Sequence, residues 1–179
     1  AAERSLRRQL EAFHAAQDDP TAACALALAH LGHEDRFIRY AARIALEHQP
    51  VSQWQSQALA QTNPTAAITG AIAVARQAEP TAQAEVLAAL DRIDPTSLDP
   101  ASQLDLVRAY ELTLIRLGEP PAAVKASLAA KFAPLFPAGE FELDRALASL
   151  LVAVRAPGIV STLIGLLATT NEASGETNL

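Results

Sequence analysis

"HEDRFIRYAARIALEH", His33 to His48, sets three arginines, two histidines and a tyrosine into a chain otherwise dominated by alanine and leucine. Asp35 stands where a helix N-cap belongs, and the apolar residues after it fall at helical spacing. From Asp35 the series Arg39, Arg43 and Glu47 continues at four-residue steps along one face, acid before base and then base before acid. Such a ladder bridges ionically within its helix, and the forked donors of arginine also reach carbonyls or acids of a neighbouring helix. Each exposed pair contributes only about 0.3 to 0.5 kcal/mol. The stretch therefore predicts one helix of a helical array, with Asp35, Arg36, Arg39, Arg43 and Glu47 as a structural ladder. A ligand-binding or catalytic cluster is the alternative.

The same grammar extends outward. Residues 2–16 place Leu6, Leu10 and Phe13 on one helical face, and Asp19 with Pro20 opens a second helix that Gly32 ends near residue 31. Further helices are predicted over 35–48, 51–61, 64–76, 80–92, 100–117, 120–133, 140–155 and 157–169. Asp35, Asn63, Asp99 and Glu140 are the expected caps, spaced by about 30 to 40 residues, as in helix-pair repeats. Composition agrees, since hydrophobic residues make up 50% of the chain but aromatics only 4%, and most of the eleven prolines fall between apolar runs. No apolar/polar alternation is long enough to predict a sheet. The fold class is therefore all α, and short connections make consecutive helices antiparallel neighbours. We expect an α-α superhelix of about five antiparallel pairs over residues 1–170, then a polar tail or linker over 171–179.

The formal charge of −6 disfavours non-specific attraction to nucleic acid or anionic membrane, although a local basic patch is compatible with it. Cys24, the single cysteine, has no internal disulfide partner and is expected in the core. The chain contains no methionine, even at its first position, which predicts a mature form or an excised piece of something longer. Its longest apolar run is interrupted by Arg155, Pro157 and Gly158, short of the roughly 20 residues that span a bilayer. The chain reads as a soluble domain.

Single residues add little chemistry. His30 and His33 lie three apart with Glu34 and Asp35 following, which on spacing alone fits metal ligands. Gly32 interrupts the helix between them, so a histidine serving a helix C-terminus is favoured, and His14 and His48 have no evident partner. Trp54 is read as a packing residue clustered with Phe37 and Tyr40, or else as an exposed anchor for a partner. Glu111, next to Tyr110, is expected to pair with Arg108 or with an arginine of an adjacent helix. No nucleophile elbow, phosphate loop, zinc-protease helix or zinc-finger spacing occurs, and capping accounts for Asp18 with Asp19 and for Glu140 with Glu142. No catalytic, cofactor-binding or metal-ligating residue is assigned.

Asp35, Ile38, Arg39, Ala41, Ala42, Ala45 and Leu46 match the first helix of a HEAT-type, armadillo-like repeat, which the chain resembles. "GHEDRFIRYAARIALEHQPVSQW", "DLVRAYELTLIRLGEPP" and "LFPAGEFELDRALASLLV" are similar to the helical-repeat portion of large exported proteins of planctomycete and verrucomicrobial type. Those proteins often join a sugar-dehydrogenase-like propeller to a c-type cytochrome domain. The resemblance implies an extracytoplasmic (periplasmic or exported) setting and a fragment of a multidomain protein, while the residues themselves leave a cytoplasmic setting open. It carries no redox chemistry here, because the chain lacks Cys-x-x-Cys-His and propeller strands. The expected function is a non-catalytic scaffold for protein–protein or inter-domain docking, without cofactor, nucleic acid or membrane. The rivals are a HEAT-like DNA-repair glycosylase, for which Arg36, Arg39, Arg43 and Trp54 are the local material, and a cofactor-handling repeat enzyme using Cys24.

Two further expectations concern packing. "AAITGAIAVA", Ala66 to Ala75, is apolar around its circumference and predicts the most enclosed helix, with Gly70 admitting another backbone. Ile159, Val160, Leu163, Ile164, Leu166 and Leu167 cover more than one face of the last helix, which predicts docking or weak self-association there.

Overall fold

A computed structural model describes the backbone of residues 2–174 and the side chains through Ala168. Its described residues are all-α: α1 (Ala2–Glu11), α2 (Thr21–Ala29), α3 (Arg36–Glu47), α4 (Gln55–Leu59), α5 (Pro64–Gln77), α6 (Gln83–Asp91), α7 (Pro100–Leu117), α8 (Ala122–Phe132), α9 (Phe141–Ala153) and α10 (Ile159–Ser174). Four short 3-10 turns lie between or at the ends of these helices. The chain divides into two compact units, residues 1–119 and 120–179, at the proline pause Glu119-Pro120-Pro121. Of the expected tail over 171–179, residues 171–174 continue α10, and the remainder lies outside the described residues.

Local signals place most helix starts. Asp35 accepts the Phe37 N–H at 2.7 Å, Asn63 accepts that of Ala66 at 3.0 Å, and Asp99 accepts those of Ala101 and Ser102. Asp19 accepts the Thr21 N–H at 3.0 Å. Each carboxylate or amide satisfies an orphan donor of the first turn. Glu140 is the exception, because its side chain makes no cap bond. The carboxylate of Asp144, one turn into α9, instead binds the N–H groups of Ala138 and Gly139 ahead of the helix.

The expected helix over 51–61 is broken. Val51–Gln53 form a 3-10 turn, Trp54 takes φ −136, and α4 then runs for only five residues. The break turns the Trp54 indole into the core, where its Nε1 donates to the Gln49 carbonyl at 3.2 Å. Burying the largest side chain and satisfying its N–H outweighs continuity of a short helix.

In the first unit α1, α3, α5 and α7 pack in succession, each on the next, while α2 packs on α3, α4 on α5, and α6 on both α5 and α7. Helix α5 meets α3, α4, α6 and α7 and buries eight of its 14 residues, more than any other helix. A Cβ added at Gly70 would stand 2.8 Å from the Ala58 carbonyl oxygen, so this glycine does admit the backbone of α4. In the second unit α9 packs on α8 and α10.

Candidate functional site

Helix α3 has two sides. Ile38, Ala41, Ala42, Ala45 and Leu46 are buried, whereas Arg36, Phe37 and Tyr40 point to solvent and Arg39, Arg43, Ile44 and Glu47 are half-buried. Phe37 is 52% and Tyr40 58% exposed, and Trp54 is fully buried. The expected cluster of Phe37, Tyr40 and Trp54 is therefore not formed, and Trp54 is packing, not an exposed anchor. Helical spacing places residues on a face but does not fix which side of a broken helix an indole after the turn will enter.

The arginines are used differently from one another. Arg39 donates through Nη1 to the carbonyls of His33 at 2.6 Å and Glu34 at 2.8 Å, closing the turn that leads into its own helix. Arg43 pairs with Glu47 one turn on. The link to a neighbouring helix is made from the other side, as Arg76 at the end of α5 reaches Glu47 with Nε 3.0 Å from Oε1. Arg116, at the end of α7, then donates to the Arg76 carbonyl at 3.1 Å. A polar ladder across successive helices exists, but it runs through their C-terminal ends (Glu47, Arg76, Arg116) and not along Asp35, Arg39 and Arg43.

Two features escaped sequence reading. Gln49, buried, donates to the carbonyls of Phe13, Ala15 and Ala45 and accepts the Gln17 N–H, so one amide fastens the segment after α1 to the end of α3. His14 and His48, without evident partners in sequence, stack with ring centroids 6.2 Å apart, and His14 Nε2 lies 2.9 Å from the Ala41 carbonyl oxygen. Nothing in the one-dimensional pattern marks contacts across more than 25 residues.

His30 and His33 each use Nδ1 locally. The His30 nitrogen lies 2.7 Å from the Leu26 carbonyl oxygen, and that of His33 accepts the Asp35 N–H at 3.0 Å. Among the described residues no three His, Cys, Asp or Glu side chains are grouped to hold a metal ion. Cys24 is buried on α2, and desolvation pushes its thiol above the ordinary value. That removes the accessible thiol a cofactor-handling site would need. Among the described residues no helix is long and apolar enough to cross a membrane.

Charge is distributed unevenly. Arg4, Arg7 and Arg8 lie on α1, and Arg36, Arg39 and Arg43 on α3. Arg76 lies on α5, and Arg108 and Arg116 on α7. These four consecutively packed helices thus hold nine of the chain's twelve arginines against five carboxylates, a balance of +4 within a chain of −6. By contrast α2 and α4 carry no charge, and α6 only Glu85 and Asp91. The two exposed rings of α3 each have a guanidinium group near one face. Arg36 sits 4.8 Å and Arg7 5.8 Å from the Phe37 centroid, and Arg43 is 5.1 Å from that of Tyr40.

Comparison with known proteins yields no matching family model, curated protein or solved structure.

Proposed function

We propose that the chain is a non-catalytic helical-repeat scaffold, a HEAT-like α-α superhelix of about five antiparallel helix pairs, that docks other proteins or neighbouring domains of its own chain. The observation that carries it is the excess of arginine over carboxylate on the consecutively packed helices α1, α3, α5 and α7, with two exposed aromatic rings on α3. Arg76 and Arg116 serve helix-to-helix links there, and Arg36 and Arg43 face the exposed rings. Helices packed in succession with their C-terminal ends joined by Glu47, Arg76 and Arg116 support the stacked-repeat reading, because stacks of this kind are held by nearest-neighbour contacts. The exported, multidomain setting rests on resemblance alone. The scaffold reading is tested by assaying the purified full chain for hydrolase, glycosylase and redox turnover. Any turnover abolished by one exposed polar substitution overturns it.

The DNA-glycosylase reading draws support from the same nine arginines and loses its central aromatic with the burial of Trp54. Salt-sensitive binding of duplex DNA at low ionic strength would favour it over the scaffold.

A further inference from the structure

We propose that the outer side of α1 and α3 is a docking surface for an acidic peptide segment of a partner protein, with Phe37 and Tyr40 as apolar anchors and Arg36 as the principal carboxylate ligand. The proposal rests on the scaffold reading and names its partner class. Soluble chains bury or scatter their large aromatics, yet two of the chain's eight aromatic residues stand more than half exposed one helical turn apart on α3. Each ring is already faced by a guanidinium, so a peptide laid over them meets apolar surface and positive charge together.

The guanidinium groups are not equivalent. Arg7 is paired with Glu11 at 2.7 Å, and Arg43 with Glu47, so their charge is spent within the fold. Arg36 makes only its contact with the Phe37 ring, and Arg4 and Arg8 on α1 likewise have no carboxylate partner among the described residues. The surface therefore offers a few unpaired cations among fixed carboxylates, on a chain whose net charge is negative. Nucleic acid needs a continuous run of unpaired cations whose counterions are released, and its regularly spaced phosphates would meet the exposed Glu11. A peptide with spaced carboxylates and an aromatic or aliphatic residue can align with the unpaired arginines and avoid that acid.

The test is fluorescence anisotropy on the full chain with a fluorescein-labelled glutamate-rich peptide carrying a central tryptophan. Its lysine-for-glutamate counterpart and a labelled DNA duplex are run beside it. The acidic peptide should bind, more weakly as salt is added, and Arg36→Glu should weaken it by about tenfold, equivalent to about 1.4 kcal/mol. Phe37→Ala should weaken binding of the same probe without changing the melting temperature, since the ring is half in solvent. Absence of acidic-peptide binding, equal binding of the lysine peptide, tighter binding of the duplex, or indifference to Arg36→Glu would each overturn the proposal. Loss of peptide binding alone leaves the scaffold reading standing, whereas substitution-sensitive turnover removes the scaffold reading by a separate readout.

Discussion

Arg76 Nε at the end of α5 lies 3.0 Å from Glu47 Oε1 at the end of α3, and Glu47 also holds Arg43. The glutamate side chain is only 6% exposed, so its two cations shield it from water and sit in a medium where pairing is stronger than at a free surface. One carboxylate thus ties the end of α3 to the end of α5.

Replacing Glu47 by alanine leaves Arg43, itself mostly enclosed, without its acid, and should destabilise by about 2 kcal/mol. Arg76→Ala, at a half-exposed guanidinium, should cost less, about 0.5 to 1 kcal/mol. Denaturant titration of the two single variants and the double variant gives the coupling. Strictly additive losses would mean that the pair does not tie α3 to α5.

Gly70→Ala should destabilise by about 1 to 3 kcal/mol, because the new Cβ would lie 2.8 Å from a backbone oxygen of Ala58 and backbone cannot rotate aside. Alanine otherwise favours helix over glycine. An unchanged or raised melting temperature would place α4 farther from α5.

Trp54→Ala and Phe37→Ala should separate packing from surface. The first removes a fully buried side chain and should cost about 3 to 5 kcal/mol, whereas the second should fall within about 0.5 kcal/mol of wild type. Equal melting temperatures would contradict the burial of the indole.

Burial holds the Asp105 carboxyl above the ordinary carboxylate range. Arg39 and Arg108 pull it back down, and Asp99 pushes it up. A folded value above the unfolded one means that the protonated form favours folding. The stabilisation is full below the unfolded value, near about 3.9, and is lost as pH rises through the folded value. Asp105→Asn, which mimics the protonated group, should therefore raise the melting temperature slightly at neutral pH, and the difference should vanish in acid. A lower melting temperature for Asp105→Asn at neutral pH would show that attraction to Arg39 and Arg108 wins.

Along α10, Val160, Ile164 and Leu167 form an exposed apolar stripe, while Ile159 is buried and Leu163 half-buried. Weak self-association should appear in sedimentation at high concentration and disappear with Ile164→Glu. A monomer at every concentration would leave this stripe with no role in self-association.

The helix starts at Asp35, Asn63 and Asp99, the span Pro100–Leu117, the all-α class and the enclosure of Ala66 to Ala75 are legible in the residues themselves. Capping and periodic burial act within one or two turns, so neighbours in sequence suffice to determine them. Tertiary structure alone decided that Trp54 breaks its helix to enter the core, and that Asp144 rather than Glu140 serves the start of α9. It also decided that Glu47 is shared with Arg76, 29 residues away, and that arginines from four separate helices lie on consecutively packed elements. Such pairings depend on how far one helix is rotated against the next. That rotation is set by the summed packing of small residues such as Gly70 and Ala58, which carry no sign of their partner in sequence.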